Sequence, residues 1–194
     1  MKIVVGVLVV IAGVGLVSQV YFLMLQKNIE EYRYNVIKKY QSFEVRQYET
    51  SLFTSIKLPT KNFKKASSKG FSILAGYIFG DNKKNEKIAM TSPVTMSLQD
   101  STTMMFLVPK KYAKENLPVP NNATIQFKEV PSKKMAAITF GGWANDVKIE
   151  NYKQKLISAL AQENIQYKNK FYFFGYNAPL ELFNRKNEVL VELE

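Results

Sequence analysis

One order of segments occurs twice in this chain, and that repetition limits its fold more than any other feature. FEVRQYE (Phe43 to Glu49) leads into SLFTSIKL (Ser51 to Leu58), which alternates apolar and polar residues as a half-buried strand does. Phe63, Ala66, Gly70, Phe71, Leu74 and Ile78 then fall at helical spacings, and Gly80-Asp81-Asn82 supplies the turn that ends the helix. Strands are expected from Glu86 to Leu98 and from Thr102 to Val108. The order then recurs: IQFKEV (Ile125 to Val130), KMAAITFGGW (Lys134 to Trp143), and a helix capped by Asn145 or Asp146 with Ile149, Tyr152, Leu156 and Leu160 on one face. KFYFFGYN (Lys170 to Asn177) and EVLVEL (Glu188 to Leu193) complete the second unit. Glu44-Val45 and Glu129-Val130 mark equivalent points about 85 residues apart.

That period is too long for a solenoid. Two strand-strand-helix-strand-strand units predict one α+β domain, internally duplicated, with two helices on a curved, mostly antiparallel sheet. The pseudo-repeats span about 40–110 and 124–194. Pro109, Pro118, Pro120 and Pro131 punctuate the crossover between them.

Residues 1–26 read differently. Ile3 to Leu25 carries no charge, and about 23 residues of helix span about 34 Å, enough to cross a hydrocarbon core. A cleaved signal peptide would have a shorter apolar run and a small-residue cleavage site, and neither is present. The expectation is an uncleaved single-pass N-terminal transmembrane helix, joined to the domain at 40–194 by a linker over 27–39. Lys2 faces Lys27, Arg33, Lys38 and Lys39 across the span. A strict positive-inside count keeps the domain cytoplasmic, whereas a signal anchor exports it. The reading favours a periplasmic domain in a bacterium.

The chain has no cysteine and no histidine, which removes disulfides, ordinary zinc sites and both Ser-His-Asp and Cys-His catalysis. Asp81, Asp100 and Asp146 sit in predicted turns or at a helix start. Glu44, Glu49, Glu129 and Glu188 lie in strands, where alternation turns most of them outward, so no carboxylate pair for hydrolysis is evident. Gly141-Gly142 lacks any phosphate-loop pattern around it. The expectation is a protein that is not an enzyme. A net charge of +11 favours anionic partners, and no nucleic-acid motif accompanies it.

KIAMTSPVTM (Lys87 to Met96) resembles the signature of the SOUL family of haem-binding proteins. MFLVPKKY with LPVPNN (Met105 to Asn122), EVPSKKMAAITFGGW, and YNAP followed by RKNEVLVEL resemble further family segments, in the family's order. The resemblance covers Tyr40 to Glu194. It implies a distorted barrel-like sheet flanked by two long helices, as in effector-binding domains of the gyrase-inhibitor type. It also implies non-enzymatic, non-covalent binding of haem or a related tetrapyrrole. A histidine proposed as axial ligand in part of the family has no counterpart here.

The mode left by the resemblance is an apolar groove beside the first helix. Phe71, Leu74 and Ile78 would meet the porphyrin from the helix, and Met90 and Met96 from the motif strand. Lys69, Lys83, Lys84 and Lys87 would meet the propionates, and methionine or tyrosine is a possible iron ligand. Core packing explains the same apolar residues equally well, and a solvated surface the lysines. Met90 and Met96, six apart, share a face of a regular strand. Thr91-Ser92-Pro93 reads as a bend. Two other partners stay open: another amphipathic small molecule, or a membrane surface met by the basic face.

Overall fold

The computed structural model describes residues 29–99, 101–178, 181 and 183–194. Among these residues no helix is long and apolar enough to cross a membrane. The expected span at Ile3 to Leu25 lies outside them, so the assignment of a membrane-anchored, periplasmic protein is corrected to one without structural support. The stretch 27–39 also departs from expectation, since it holds β1 (Glu30–Glu31) and β2 (Tyr34–Lys39). Residues 34–39 are mostly exposed, so they lack the alternation that marks a strand; backbone pairing alone makes them one.

The chain continues through β3 (Glu44–Tyr48), β4 (Ser51–Leu58), α1 (Phe63–Ile78), β5 (Thr91–Ser92), β6 (Val94–Ser97) and β7 (Thr102–Leu107). A 3₁₀ turn (Lys114–Asn116) lies in the crossover. The second half holds β8 (Gln126–Val130), β9 (Lys133–Gly141), α2 (Asp146–Gln162), β10 (Tyr167–Gly175) and β11 (Lys186–Leu193). The expected bend at Thr91-Ser92-Pro93 is present, with a cis Ser92–Pro93 peptide between β5 and β6.

Nine strands form one curled antiparallel half-barrel in the order β2-β3-β9-β11-β10-β6-β7-β4-β8; β1 and β5 pair in parallel apart from it. With β2 set aside the order is palindromic under exchange of the halves. β6 and β10, the equivalent strands, meet at its centre, with Met96 opposite Phe173. The first strand of each half pairs with the second strand of the other: β3 with β9, and β8 with β4. The duplication is therefore a pseudo-twofold with exchanged edges.

Both helices start alike. The Asn62 and Asn145 side chains accept from the N–H groups of Lys65 and Lys148, at 2.9 and 2.8 Å, and satisfy donors left over in the first turn. These caps align the helices at an offset of about 83 residues, so Gly70 corresponds to Lys153 and Ala75 to Ser158. α1 ends at Phe79, whose N–H returns to the Ala75 carbonyl, followed by Gly80 at φ +117°.

The sheet is covered on both faces. On the helix side, Leu74, Ile78, Met96, Met104, Phe106, Leu156, Phe171 and Val191 form the larger core. On the other, inside the curl, Tyr32, Tyr48, Phe53, Met105, Met135, Phe174 and Leu190 form a second. Of the four strand glutamates that alternation turned mostly outward, Glu188 points into this second core. It shares a face with Leu190 and is fully buried, because that face encloses a core instead of meeting water.

Candidate functional site: a cavity where the two helices begin

The helix N-termini lie side by side over the centre of the sheet. Asp146, the first residue of α2, accepts the Phe63 N–H of α1 at 2.7 Å and the Asn62 amide at 3.3 Å. One carboxylate thus serves the positive ends of two helices, which fixes their approach. Beside it the helix starts, β6, β7 and β10 line a cavity of about 750 Å³, within the usual range of roughly 300–1,000 Å³ for small-molecule sites.

Phe63, Met96, Ile149 and Phe171 give the cavity its apolar surface, and Lys61, Lys153 and Lys170 give its cations. The Lys153 ammonium lies 4.9 Å from the Phe171 ring centre, and Phe63 meets Phe173 edge-on at 5.0 Å. Asp146 and Glu150 are the lining acids, and Glu150 lies 3.7 Å from Lys153. The two helices differ at the position that faces the sheet in the second turn. At Gly70, α1 approaches the sheet so closely that a Cβ would stand 2.8 Å from Leu58 Cδ1 and 3.0 Å from Met104 Sδ. Its α2 counterpart, Lys153, holds a long stem over Phe171 instead.

Of the nine residues expected to bind a tetrapyrrole, Met96 alone lines this cavity. Leu74 and Ile78 are buried in the larger core, where a ligand would have to displace packing to reach them. Phe71 packs against that core with its ring 5.5 Å from Phe106, and Met90 rests on it. Lys69, Lys83, Lys84 and Lys87 are exposed. The last three follow α1, and its 16 residues put about 24 Å between its ends, so they stand away from the cavity.

The crossover packs against the C-terminal end of α1. Tyr77 donates to the Pro118 carbonyl at 2.9 Å, the Lys83 N–H bonds Val119, and Leu117 and Ile125 are buried beside them. Ser158 is exposed where its counterpart Ala75 is buried, and a cavity of about 740 Å³ lined by Ile138, Tyr152, Lys155 and Ser158 runs along α2. Sequence reasoning missed Phe63, Asp146, Lys153 and Phe171. The paired Asn caps were the signal that places the two helix starts in equivalent positions.

The SOUL heme-binding protein model matches residues 29–192, which include β1 and β2. The chain belongs to the SOUL family. Heme-binding protein 1 of Xenopus laevis is 32% identical over 157 residues, covering 76% of this chain and 82% of that protein. Human heme-binding protein 2 is 28% identical over 156 residues, covering 76% of each chain. Both relatives are vertebrate, so a bacterial source gains nothing from them. Among solved structures, the EcmrR C-terminal domain superposes on this SOUL protein with a TM-score of 0.62 at 11% identity, covering 83% of this chain and 98% of that one. A hydrolase from Listeria innocua gives 0.57 at 7% identity, covering 81% and 94%. At these identities the likeness is one of fold. Family membership supports haem as a possible ligand and fits a binding protein better than an enzyme.

Proposed function

We propose that this SOUL protein binds haem or a related tetrapyrrole without catalysing a reaction on it, in the cavity between the two helix starts. The observation that carries the reading is one concave site combining an apolar floor with three lysines. The residues suit such a ligand: Phe63, Ile149, Phe171 and Met96 would accept the macrocycle, and Lys61, Lys153 and Lys170 its propionates. Haem, when bound, would supply an iron centre. With no histidine or cysteine in the chain, ring and propionate recognition dominates, and Met96 is the one thioether within the lining.

This reading moves the site from the flank of α1 to its first turn. Titration of the full chain with haemin and with metal-free protoporphyrin tests it. Saturable 1:1 binding of both is expected, weakened about tenfold or more by Lys153→Glu with Phe171→Ala. Wild-type binding in that variant would place the ligand elsewhere. Failure of both porphyrins to bind would leave a cavity for some other amphipathic molecule.

A further inference from the structure

A third cavity, of about 520 Å³, is lined by residues of β3, β7, β8, β9, β10 and β11. Met105 and Val130 of the second core form its apolar wall, and Lys128, Lys133, Lys134, Lys168 and Lys170 surround it. Its lining acids are Glu192 and Glu194, and Lys168 already engages Glu192 at 3.1 Å. Among the described residues, no carboxylate lies within 4.0 Å of the ammonium groups of Lys128, Lys133, Lys134 or Lys170.

Lys133 is unusual among these. Its ammonium is drawn over the Tyr172 ring, 4.1 Å from the centre. Burial pushes its pKa down to about 8, aided by Lys128 and Lys170 and opposed by Glu192. A cation held this way at a cavity wall, without a carboxylate partner, is poised for an anion from outside.

We propose that this cavity is a second binding site, for a small organic anion: an aromatic or branched apolar body bearing a carboxylate, sulfonate or phosphate. The body lies against Met105, Val130 and the Tyr172 ring, and the anion meets Lys133, with Lys128 beside it. The site is independent of the tetrapyrrole reading. Only Lys170 lines both cavities, so it is left out of the test.

The probe is 8-anilinonaphthalene-1-sulfonate, titrated by fluorescence into the full chain at pH 7. Saturable binding is expected, at least tenfold weaker in Lys133→Met and within twofold of wild type in Lys153→Met. Circular dichroism checks that each variant folds, and Lys133→Gln stands in if Lys133→Met does not. The wild type gives a further readout without any variant. As pH rises from 7 to 9.5 the Lys133 ammonium, facing Glu192, Lys128, Lys170 and Tyr172, loses its proton, and affinity falls several-fold. Undiminished binding by the Lys133 variants, a flat pH profile, loss confined to Lys153→Met, or no saturable binding would each overturn the proposal.

Discussion

At the level of single residues, the Arg46–Glu188 pair has the largest consequences. Arg46 meets both Glu188 oxygens, at 2.9 and 3.0 Å, and donates to Glu44 at 2.9 Å. Tyr176 and Thr139 donate to Glu188 at 2.6 and 3.0 Å, and the guanidinium lies 4.3 Å above the Tyr34 ring. Burial alone would raise the Glu188 carboxyl, but Arg46 and Tyr176 outweigh it and hold it below the ordinary 4.5. Glu188→Gln removes the buried carboxylate from Arg46 and leaves the partly exposed Glu44 as its acid, so a loss of about 3 kcal/mol in urea unfolding is expected, whereas Arg46→Met combined with Glu188→Leu recovers most of it. A carboxyl with a lowered folded pKa stabilises above its unfolded pKa and loses that contribution as pH falls through the folded value. The acid-unfolding profile of Glu188→Gln should therefore be shallower below about pH 4.5 than the wild type's. Lys133 also has a lowered folded pKa, but there the fold disfavours the charged form: with about 8 against 10.5, wild-type stability rises with pH between those values as a penalty is relieved. Lys133→Met should raise Tm at pH 7 by roughly 3–6 °C and erase that alkaline rise.

Among the elements, the two helices show how one pattern yields unequal halves. The substitution Gly70→Ala would favour the isolated helix by up to about 1 kcal/mol. In the fold the added Cβ meets Leu58 and Met104, both buried, including Met104 Cβ at 3.2 Å. Overpacking of about 1–3 kcal/mol should prevail, giving net destabilisation in a denaturant melt. Asp146→Ala removes the acceptor of the Phe63 N–H and should cost about 1 kcal/mol. It should also weaken porphyrin binding, since the same contact holds the cavity's two walls together. Helix spacing and the cap at Asn145 were legible in the sequence because each is a local signal, whereas the matching cap at Asn62 was not read from it. β2 was not legible, for an edge strand exposed on both faces leaves no hydrophobic period. Nor was the cavity, which depends on how two helices distant in sequence meet.

Across the whole molecule, the repeated order of segments predicted the duplicated sheet and its two helices. The strand bounds, however, set Glu44 equivalent to Gln126 and not to Glu129, so the match of Glu44-Val45 with Glu129-Val130 was three residues out. The order did not predict the exchange of first strands, because a period in sequence carries no pairing partner. It also hid the second core: alternation says that two faces differ, and Glu188 shows that both can be buried. Since β3 belongs to the second half's β9 and β8 to the first half's β4, neither half can satisfy its own edges. Chains split in the crossover, at 1–113 and 114–194, should be poorly folded alone. Mixed, they should regain native circular dichroism in a single concentration-dependent step.

The same exchange sets a timetable for synthesis. Tyr48 pairs with Lys133, so β3 leaves the ribosome about 85 residues ahead of its partner. At roughly 5–20 residues per second that interval is about 4–17 s. Throughout it, the nascent chain can close one edge of β3 with β2 while the edge meant for β9 stays open.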